Sequence, residues 1–403
     1  MKTIIIASHI TPPQSLLTPV PQHQQPAHFA QRLRRWGGVA VALALLSALW
    51  AQAEPERENP RHHFTPPGAR EITIFDQNLY VGAEFTPILT LDPTDPNYVR
   101  NLLGSVAQVY QAIVASDFPR RAQALAREIV ETQPDLVTLQ EVSLIRTQVP
   151  GDLLLGGTTP ATDVQLDYLA ILLANLNRHG LHYVAVAIVT NLDMELPMPT
   201  ANPAVFADVR LTDHDVILAR ADLPPGQLRV SNPRAGNFQT ALPLPSLGAS
   251  IPRGWCAVDV TTRGRTFRVI NAHPEENTSA PIQAAQAQEL LVGPAHTTLP
   301  VILAGDFNSD ANGHDGTTTY DLLRHSFTDT WSVVHPRNPG LTWGHDPLLA
   351  DPSVAFIWRL DLVLFRGSQF QAVDMWRMSP QFQATPPLWP SDHAGVLARL
   401  RIR

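Results

Sequence analysis

Apolar and polar positions alternate along most of this chain in short bursts bounded by Pro, Gly, Asn and Asp, the pattern of strands interleaved with a few helices. Ile72-Thr73-Ile74-Phe75 reads as a strand ending at Asp76-Gln77-Asn78. Residues 86–97 hold three prolines among turn formers. The spacing of Ala124, Leu125, Ile129 and Val130 predicts a helix over 120–131, closed by Pro134. A short apolar strand at 136–139 runs into Gln140-Glu141, and Leu166, Leu169, Ala170 and Leu173 predict a second helix over 163–178. A strand at 183–189 leads to a stretch rich in Pro and Met, 193–206, which reads as a loop within an insertion near 190–213. Strands are expected near 215–219, 237–242, 255–261 and 266–272, and a helix over 280–292. A strand at 301–304 then enters Gly305-Asp306-Phe307-Asn308, and 358–365 and 394–402 are the last strands. Many strands with few helices imply a two-sheet core with helices outside.

The polar residues that interrupt this pattern fall where strands end. Asn78, Glu141, His273, Asp306 with Asn308, Asp361, and Asp392 with His393 each follow or close an apolar run. Any one of them reads as a turn residue. Six in series suggest a site, because a rigid sheet aims the loops at its strand ends. Asn78, Glu141, Asp306 and Asp392 offer hard oxygen ligands, suited to Mg²⁺ or Ca²⁺ rather than zinc. His273 and His393 offer imidazoles that work near neutral pH, and Asp361 can orient one of them. An oxygen-bound divalent ion beside a His–Asp pair suits the hydrolysis of a phosphoester by water.

Composition narrows the classes. Hydrophobic residues make up 44% of the 403, enough for a large core and too many for a disordered chain. One cysteine, Cys256, excludes an internal disulfide framework and a cysteine-based zinc site, and its flanking residues point to burial. No repeat suggests a solenoid.

The N-terminal region reads as an export signal. Arg-Leu-Arg-Arg at 32–35 precedes an uncharged stretch, Trp36 to Trp50, and then Ala51-Gln52-Ala53, a small-residue cleavage pattern. The apolar stretch is shorter than the roughly 20 residues that span a bilayer. The expected division is a signal over 1–53 with a polar leader before its arginines, a Pro-rich linker over 54–70 and one domain over 71–403. A secreted or periplasmic location follows. Loss of 1–53 would leave 25 basic against 36 acidic residues, a net charge of −11, which disfavours long-range attraction to polyanions.

Four segments together resemble the endonuclease/exonuclease/phosphatase superfamily, also called DNase I-like, in its histidine-containing branch. They are Gln140-Glu141, LAGDFNSD over 303–310, RLDLVLF over 359–365 and Ser391-Asp392-His393, and their order matches that of the family. The resemblance spans roughly 71–403. It implies a four-layer α/β sandwich of two mainly antiparallel sheets, and a metal-dependent phosphoric ester hydrolase using Mg²⁺, with Mn²⁺ or Ca²⁺ as alternatives. It implies that Asn78, Glu141 and Asp392 serve the metal and that Asp306 and Asn308 position the attacking water and the phosphate. His393, held by Asp361, is implied as the general base or its partner, and His273 as a phosphate contact. The apurinic-site branch carries Tyr at the position of His273, so that activity is not expected. Tyr80 stands where some members place an acidic residue.

The substrate is less sharply drawn. A small phosphoester or phospholipid head group is favoured, with nucleic acid as the alternative and a non-catalytic binding protein as the rival class. The 193–206 stretch offers apolar side chains to a lipid surface, though packing on the domain is the plainer role. Arg210, Arg220, Arg253, Arg263 and Arg265 are scattered rather than grouped, and Trp255 and Trp343 could line a cleft, with core packing the plainer role for either. No obligate protein partner is evident.

Overall fold

A computed structural model of the chain describes residue 68, residues 70–352, 355–378 and 388–403, together with the two-residue strand Ile4–Ile5. The expected signal over 1–53, Ile4–Ile5 apart, and nearly all of the 54–70 linker lie outside the described residues. Among those described, no helix is long and apolar enough to cross a membrane.

The elements that build the site are, in chain order, β1 (Glu71–Asn78), α1 (Tyr98–Ala115), α2 (Phe118–Thr132), β2 (Leu136–Gln140), β3 (Leu144–Gln148), β4 (Asp163–Asp167), α3 (Tyr168–Arg178), β5 (Tyr183–Pro199) and β6 (Phe206–Arg220). There follow β7 (Arg229–Asn237), β8 (Gly254–Thr262), β9 (Arg265–His273), α4 (Ala280–Val292), β10 (Val301–Asp306), β11 (Asp361–Arg366), β12 (Phe370–Arg377) and β13 (Val396–Ile402). One sheet runs β5–β6–β2–β1–β13–β12, with β3 beside β6 and β4 beside β3. The other runs β11–β10–β9–β8–β7, with a short strand at Thr328–Asp329 added beside β11. Most pairs are antiparallel; β1–β2 and β9–β10 are parallel. This is the expected mixed α/β fold of two sheets flanked by helices.

Inward side chains of both sheets, among them Ile72, Ile74, Ile217, Val258, Val260, Ile302, Val363 and Leu400, form the central core. On the outer face of the second sheet, Ala287 and Leu290 of α4 pack with Ile270, Leu303 and Leu364. Helices α2 and α3 join through stacked Phe118 and Tyr168, their ring centroids 3.5 Å apart. Cys256 is free and buried, as its setting in the sequence suggests.

Several local expectations change. The Pro- and Met-rich stretch over 193–206 is not a loop. It forms the arms of the long β5–β6 hairpin, with pairing continued to Pro199↔Phe206. Proline lacks a ladder donor but is admitted on an outer strand or near a strand end, and both Pro197 and Pro199 sit there. The helix expected over 163–178 begins only at Tyr168. Asp163–Asp167 pairs instead with β3, and the Asp167 carboxylate caps the helix by accepting from the Ala170 N–H at 2.9 Å. The strand expected near 237–242 lies earlier, at Arg229–Asn237. The helical stretch expected after the turns of 86–97, clearest over 120–131, is two helices: α1, with its stripe of Leu102, Val106, Val109 and Ile113, and α2.

Candidate active site

The site assembles at one end of the two sheets, where β1, β2, β9 and β10 all finish and β11 begins. Asn78 ends β1 opposite Gln140, and Glu141 follows at once. His273 ends β9, and Asp306 ends β10 directly across from Asp361, the first residue of β11. His393 arrives from the segment before β13. A polar seam holds the sheets in register behind the site. The Gln140 side-chain amide donates to Asn271 Oδ1 at 2.7 Å, and Asn271 donates to the Leu139 and Val216 carbonyls at 2.9 and 3.0 Å.

Asp306 is the hub. Its Oδ2 accepts from Asn78 Nδ2 at 3.0 Å and lies 3.5 Å from His273 Nε2 and 3.6 Å from His393 Nε2. Its Oδ1 accepts from the Asn308 N–H at 2.9 Å. Gly305 makes this approach workable. At φ +147° it carries no Cβ, and a Cβ there would overlap the Ala272 carbonyl oxygen on the neighbouring strand.

The two histidines are driven apart electrically. For His393, burial opposes the charged form, but the Asp361, Asp306 and Asp392 carboxylates outweigh it and hold the imidazole well above its ordinary range. Asp361 Oδ2 lies 2.9 Å from His393 Nδ1, and the Asp361 backbone is held by the Thr342 hydroxyl, which accepts from its N–H at 3.3 Å. His273 goes the other way: burial and then the Arg253 guanidinium push it down to about 3. The Pro274 carbonyl accepts from the Asn308 amide and so fixes its orientation. Asn308 Nδ2 therefore donates to His273 Nε2 at 3.0 Å. At neutral pH His393 is the charged donor of the site and His273 a neutral acceptor. Asp306, flanked by both rings, is raised by burial but lowered more by the His393 and His273 imidazoles, and is ionised.

Glu141 faces the same space. Its Oε1 accepts from Asn78 Nδ2 at 3.1 Å and its Oε2 from the Val81 N–H at 2.7 Å. Burial, with Asp392 and Asp213 nearby, pushes its carboxyl up to about 7. Asp392 is held by the Trp343 indole, whose Nε1 donates to Oδ2 at 3.2 Å. Tyr80, Glu141 and Asn308 all carry left-handed backbone, φ +56°, +55° and +50°. Such positions cost of order 1–3 kcal/mol each and persist where the surroundings over-determine them.

All eight expected site residues converge here, with Asn78 turned differently from its expected role. Its Oδ1 accepts from the Tyr80 N–H at 2.8 Å, so its NH₂ faces Glu141 and Asp306 and bridges two carboxylates. Asp306, Asp361 and His393 present ligand atoms within 4.8 Å of one another, a group compact enough for a metal ion. Sequence reasoning missed several neighbours. Arg253, one of the scattered arginines, is half-buried with Nη1 3.3 Å from His273 Nδ1 and pairs with Glu275 at 3.3 Å. Asp213 and Asp215, both bound by the Asn191 amide at 3.1 and 3.0 Å, sit behind it. Trp343 lines the site and stacks on Trp358 at 4.9 Å. The alternation in Thr-Asp-His-Asp at 212–215, acids inside a strand, was the available signal for Asp213 and Asp215. Arg253 carried none.

The chain matches the model of the Endonuclease/Exonuclease/phosphatase family over residues 101–393. It belongs to that family. Glu141, His273, Asp306, Asn308, Asp361, Asp392 and His393 fall inside the matched span, and Asn78 precedes it. Members of this family are hydrolases of phosphoesters. An endonuclease/exonuclease/phosphatase family protein from Leptotrichia buccalis shares the fold at 14% identity and a TM-score of 0.50, covering 82% of this chain and all of the other. A mannosyl-6-phosphatase from Bacteroides thetaiotaomicron is similar at 17% identity and TM-score 0.46, covering 82% of this chain and 99% of its own. TDP2 from D. rerio, complexed with single strand DNA product, is similar at 16% and 0.45, with the same coverage. No curated protein matches the chain in sequence.

Proposed function

We propose that this chain is a divalent-metal-dependent phosphoesterase that hydrolyses a small phosphoester or phospholipid head group. The observation that carries the reading is the pair of imidazoles held in opposite charge states around one ionised carboxylate, Asp306, in a space shared with Glu141 and Asp392. The donor set suits a hard cation. Oxygen ligands predominate, and the crowding of Glu141 by Asp392 and Asp213 is a charge excess that a divalent ion would relieve. Glu141 and Asp392 would hold it, and a bound ion would neutralise phosphate charge. The Asp306–Asp361–His393 group is compact but already bridged by the charged imidazole, so a proton fills the role of a cation there.

The chain's own groups divide the remaining work. Asp306, ionised and unencumbered by Arg, is placed to accept a proton from the attacking water. His393, charged and aimed by Asp361, donates to the phosphoryl oxygens, which makes it the partner of the base rather than the base. Asn308, its amide hydrogens directed at the Pro274 carbonyl and His273, positions that ring, and Arg253 flanks it on the other side.

A nuclease is the second reading, favoured by one observation: Trp343 and Trp358 line the site as a stacked pair, a surface on which a base can stack. Activity on bis-p-nitrophenyl phosphate, p-nitrophenyl phosphate, sphingomyelin and plasmid DNA, each with Mg²⁺ and with EDTA, separates the readings. Hydrolysis of a small diester that vanishes in EDTA and returns with Mg²⁺ or Mn²⁺ is expected; full activity in chelator sinks the metal assignment. Export belongs to the same proposal: the secreted chain should begin at Glu54, which N-terminal sequencing reads directly.

A further inference from the structure

A cavity of about 570 Å³ opens from the catalytic groups, and most of its wall has no part in the chemistry. At one end stand Glu141, His273, Asp306, Asn308 and His393. From there the wall becomes aliphatic. Val106, Val109 and Ile113 of α1 face Met194 of β5, Leu211 of β6 and Leu244 of a short strand at Leu242–Leu244. These side chains belong to one apolar cluster, and each of the buried ones in it is less than a tenth exposed.

Packing alone does not account for that space. Protein interiors are filled to crystal density and hold few voids larger than a water molecule. A large cavity walled by aliphatic side chains is a poor host for water, which finds no partners there, and a good host for an apolar ligand. Its size lies in the range of small-molecule sites, which are mostly apolar with a few convergent polar groups at one end. The three α1 residues span seven positions, about 10 Å along the helix at 1.5 Å per residue. The apolar wall is thus elongated and leads away from the phosphoester-binding end.

We infer that this cavity holds an alkyl or acyl chain of the substrate, so that the preferred phosphoester carries an aliphatic group of several carbons while its phosphate lies between His393, Asn308 and Glu141. The inference rests on the phosphoesterase reading above and names its substrate class. Continuity decides the occupant: the aliphatic wall and the catalytic groups line a single cavity, so the group that fills it is attached to the phosphate that reacts.

The test is a homologous series of p-nitrophenyl n-alkyl phosphate diesters, methyl to octyl, kept below micelle-forming concentrations, with Mg²⁺ and the full chain. For wild type, kcat/KM should rise about threefold to fourfold per methylene, the factor a buried CH₂ supplies, until the cavity is full. Val109→Phe fills the space without adding charge, and should reduce the advantage of octyl over methyl by about tenfold or more. Leu211→Asp should flatten the series further, with thermal melting reporting whether each variant is folded. Hydrolysis of the methyl ester with no gain along the series overturns the inference, leaves the phosphoesterase reading standing and assigns the cavity to another segment of this chain or a protein partner. Hydrolysis of no member overturns the phosphoesterase reading itself. Calorimetric binding of n-alkylphosphonates then decides the cavity alone. Affinity that climbs with chain length supports it, and equal affinity across the series overturns it.

Discussion

At the scale of single residues, charge placement does the work. His393 is charged because three carboxylates surround it, and Asp361 sets the ring by its hydrogen bond at 2.9 Å. His393→Ala should lower kcat about 10²–10⁴-fold, the usual worth of a positioned acid–base group, with an unchanged far-UV spectrum. Asp361→Asn removes the charge that holds the imidazole and should cost about 10²-fold or more in kcat. A His393→Ala enzyme with near wild-type turnover would remove the residue from the mechanism. Glu141 gives a pH prediction of definite sign. Its carboxyl is raised to about 7, so protons compete with a cation below that pH and not above it. Apparent Mg²⁺ affinity should fall about tenfold from pH 8 to pH 6, as one competing proton at that pKa requires, and Glu141→Gln should abolish the slope. Calorimetric titration at the two pH values checks both.

At the scale of elements, the site depends on loops fixed from behind by one residue of α2. Arg121 is fully buried and donates to four carbonyl oxygens: Leu79 at 2.6 Å, Tyr80 at 2.9 Å, Ser116 at 3.0 Å and Pro390 at 3.0 Å. It ties the turn after Asn78 to the segment that brings Ser391, Asp392 and His393. Ser391 completes the tie by donating to the Asn78 carbonyl at 2.7 Å. Arg121→Met keeps much of the apolar bulk but leaves those carbonyls unpaired. It should cost about 3 kcal/mol in urea denaturation and lower kcat as well, although Arg121 touches no reacting group. A variant that loses stability while kcat holds would show that the two loops keep their positions without it.

At the scale of the whole molecule, electrostatics bear on substrate size. Glu84, Glu141, Asp213, Glu275, Glu276 and Asp392 line the cavity, and among the described residues Arg253 is its one arginine, already paired with Glu275. The chain carries −7 overall. A long polyanion would meet this surface at a disadvantage, whereas one phosphate can be met by an ion and His393. An enzyme that tracks duplex phosphates loses affinity with a log–log salt slope of about −0.9 per phosphate. Here kcat/KM for a small diester should change little between about 50 and 200 mM salt, the range over which such slopes are resolved. It should also exceed any activity on plasmid DNA. Efficient plasmid nicking that collapses with added salt would favour the nuclease.

The fold class and the chemical residues were legible in the sequence because both rest on local signals. Short apolar runs mark strands wherever they end up, and a carboxylate, amide or imidazole just past such a run marks a strand end. That is why Glu141, His273, Asp306, Asn308, Asp361, Asp392 and His393, which the fold brings together, could be named from sequence, and why α4 was placed at its correct bounds. What depends on partners distant in the chain was not legible. Pairing made β5 and β6 a hairpin where proline suggested a loop, and drew Asp163–Asp167 into a strand where periodicity suggested a helix. The charge states of the two histidines follow from carboxylate and guanidinium neighbours up to 87 residues away in sequence, the separation of Asp306 from His393. Arg253 and Asp213 acquire meaning only when β6 and β8 lie beside His273. The aliphatic cavity is likewise tertiary: its walls come from α1, the hairpin and a short strand after β7, and no one of these segments encloses space on its own.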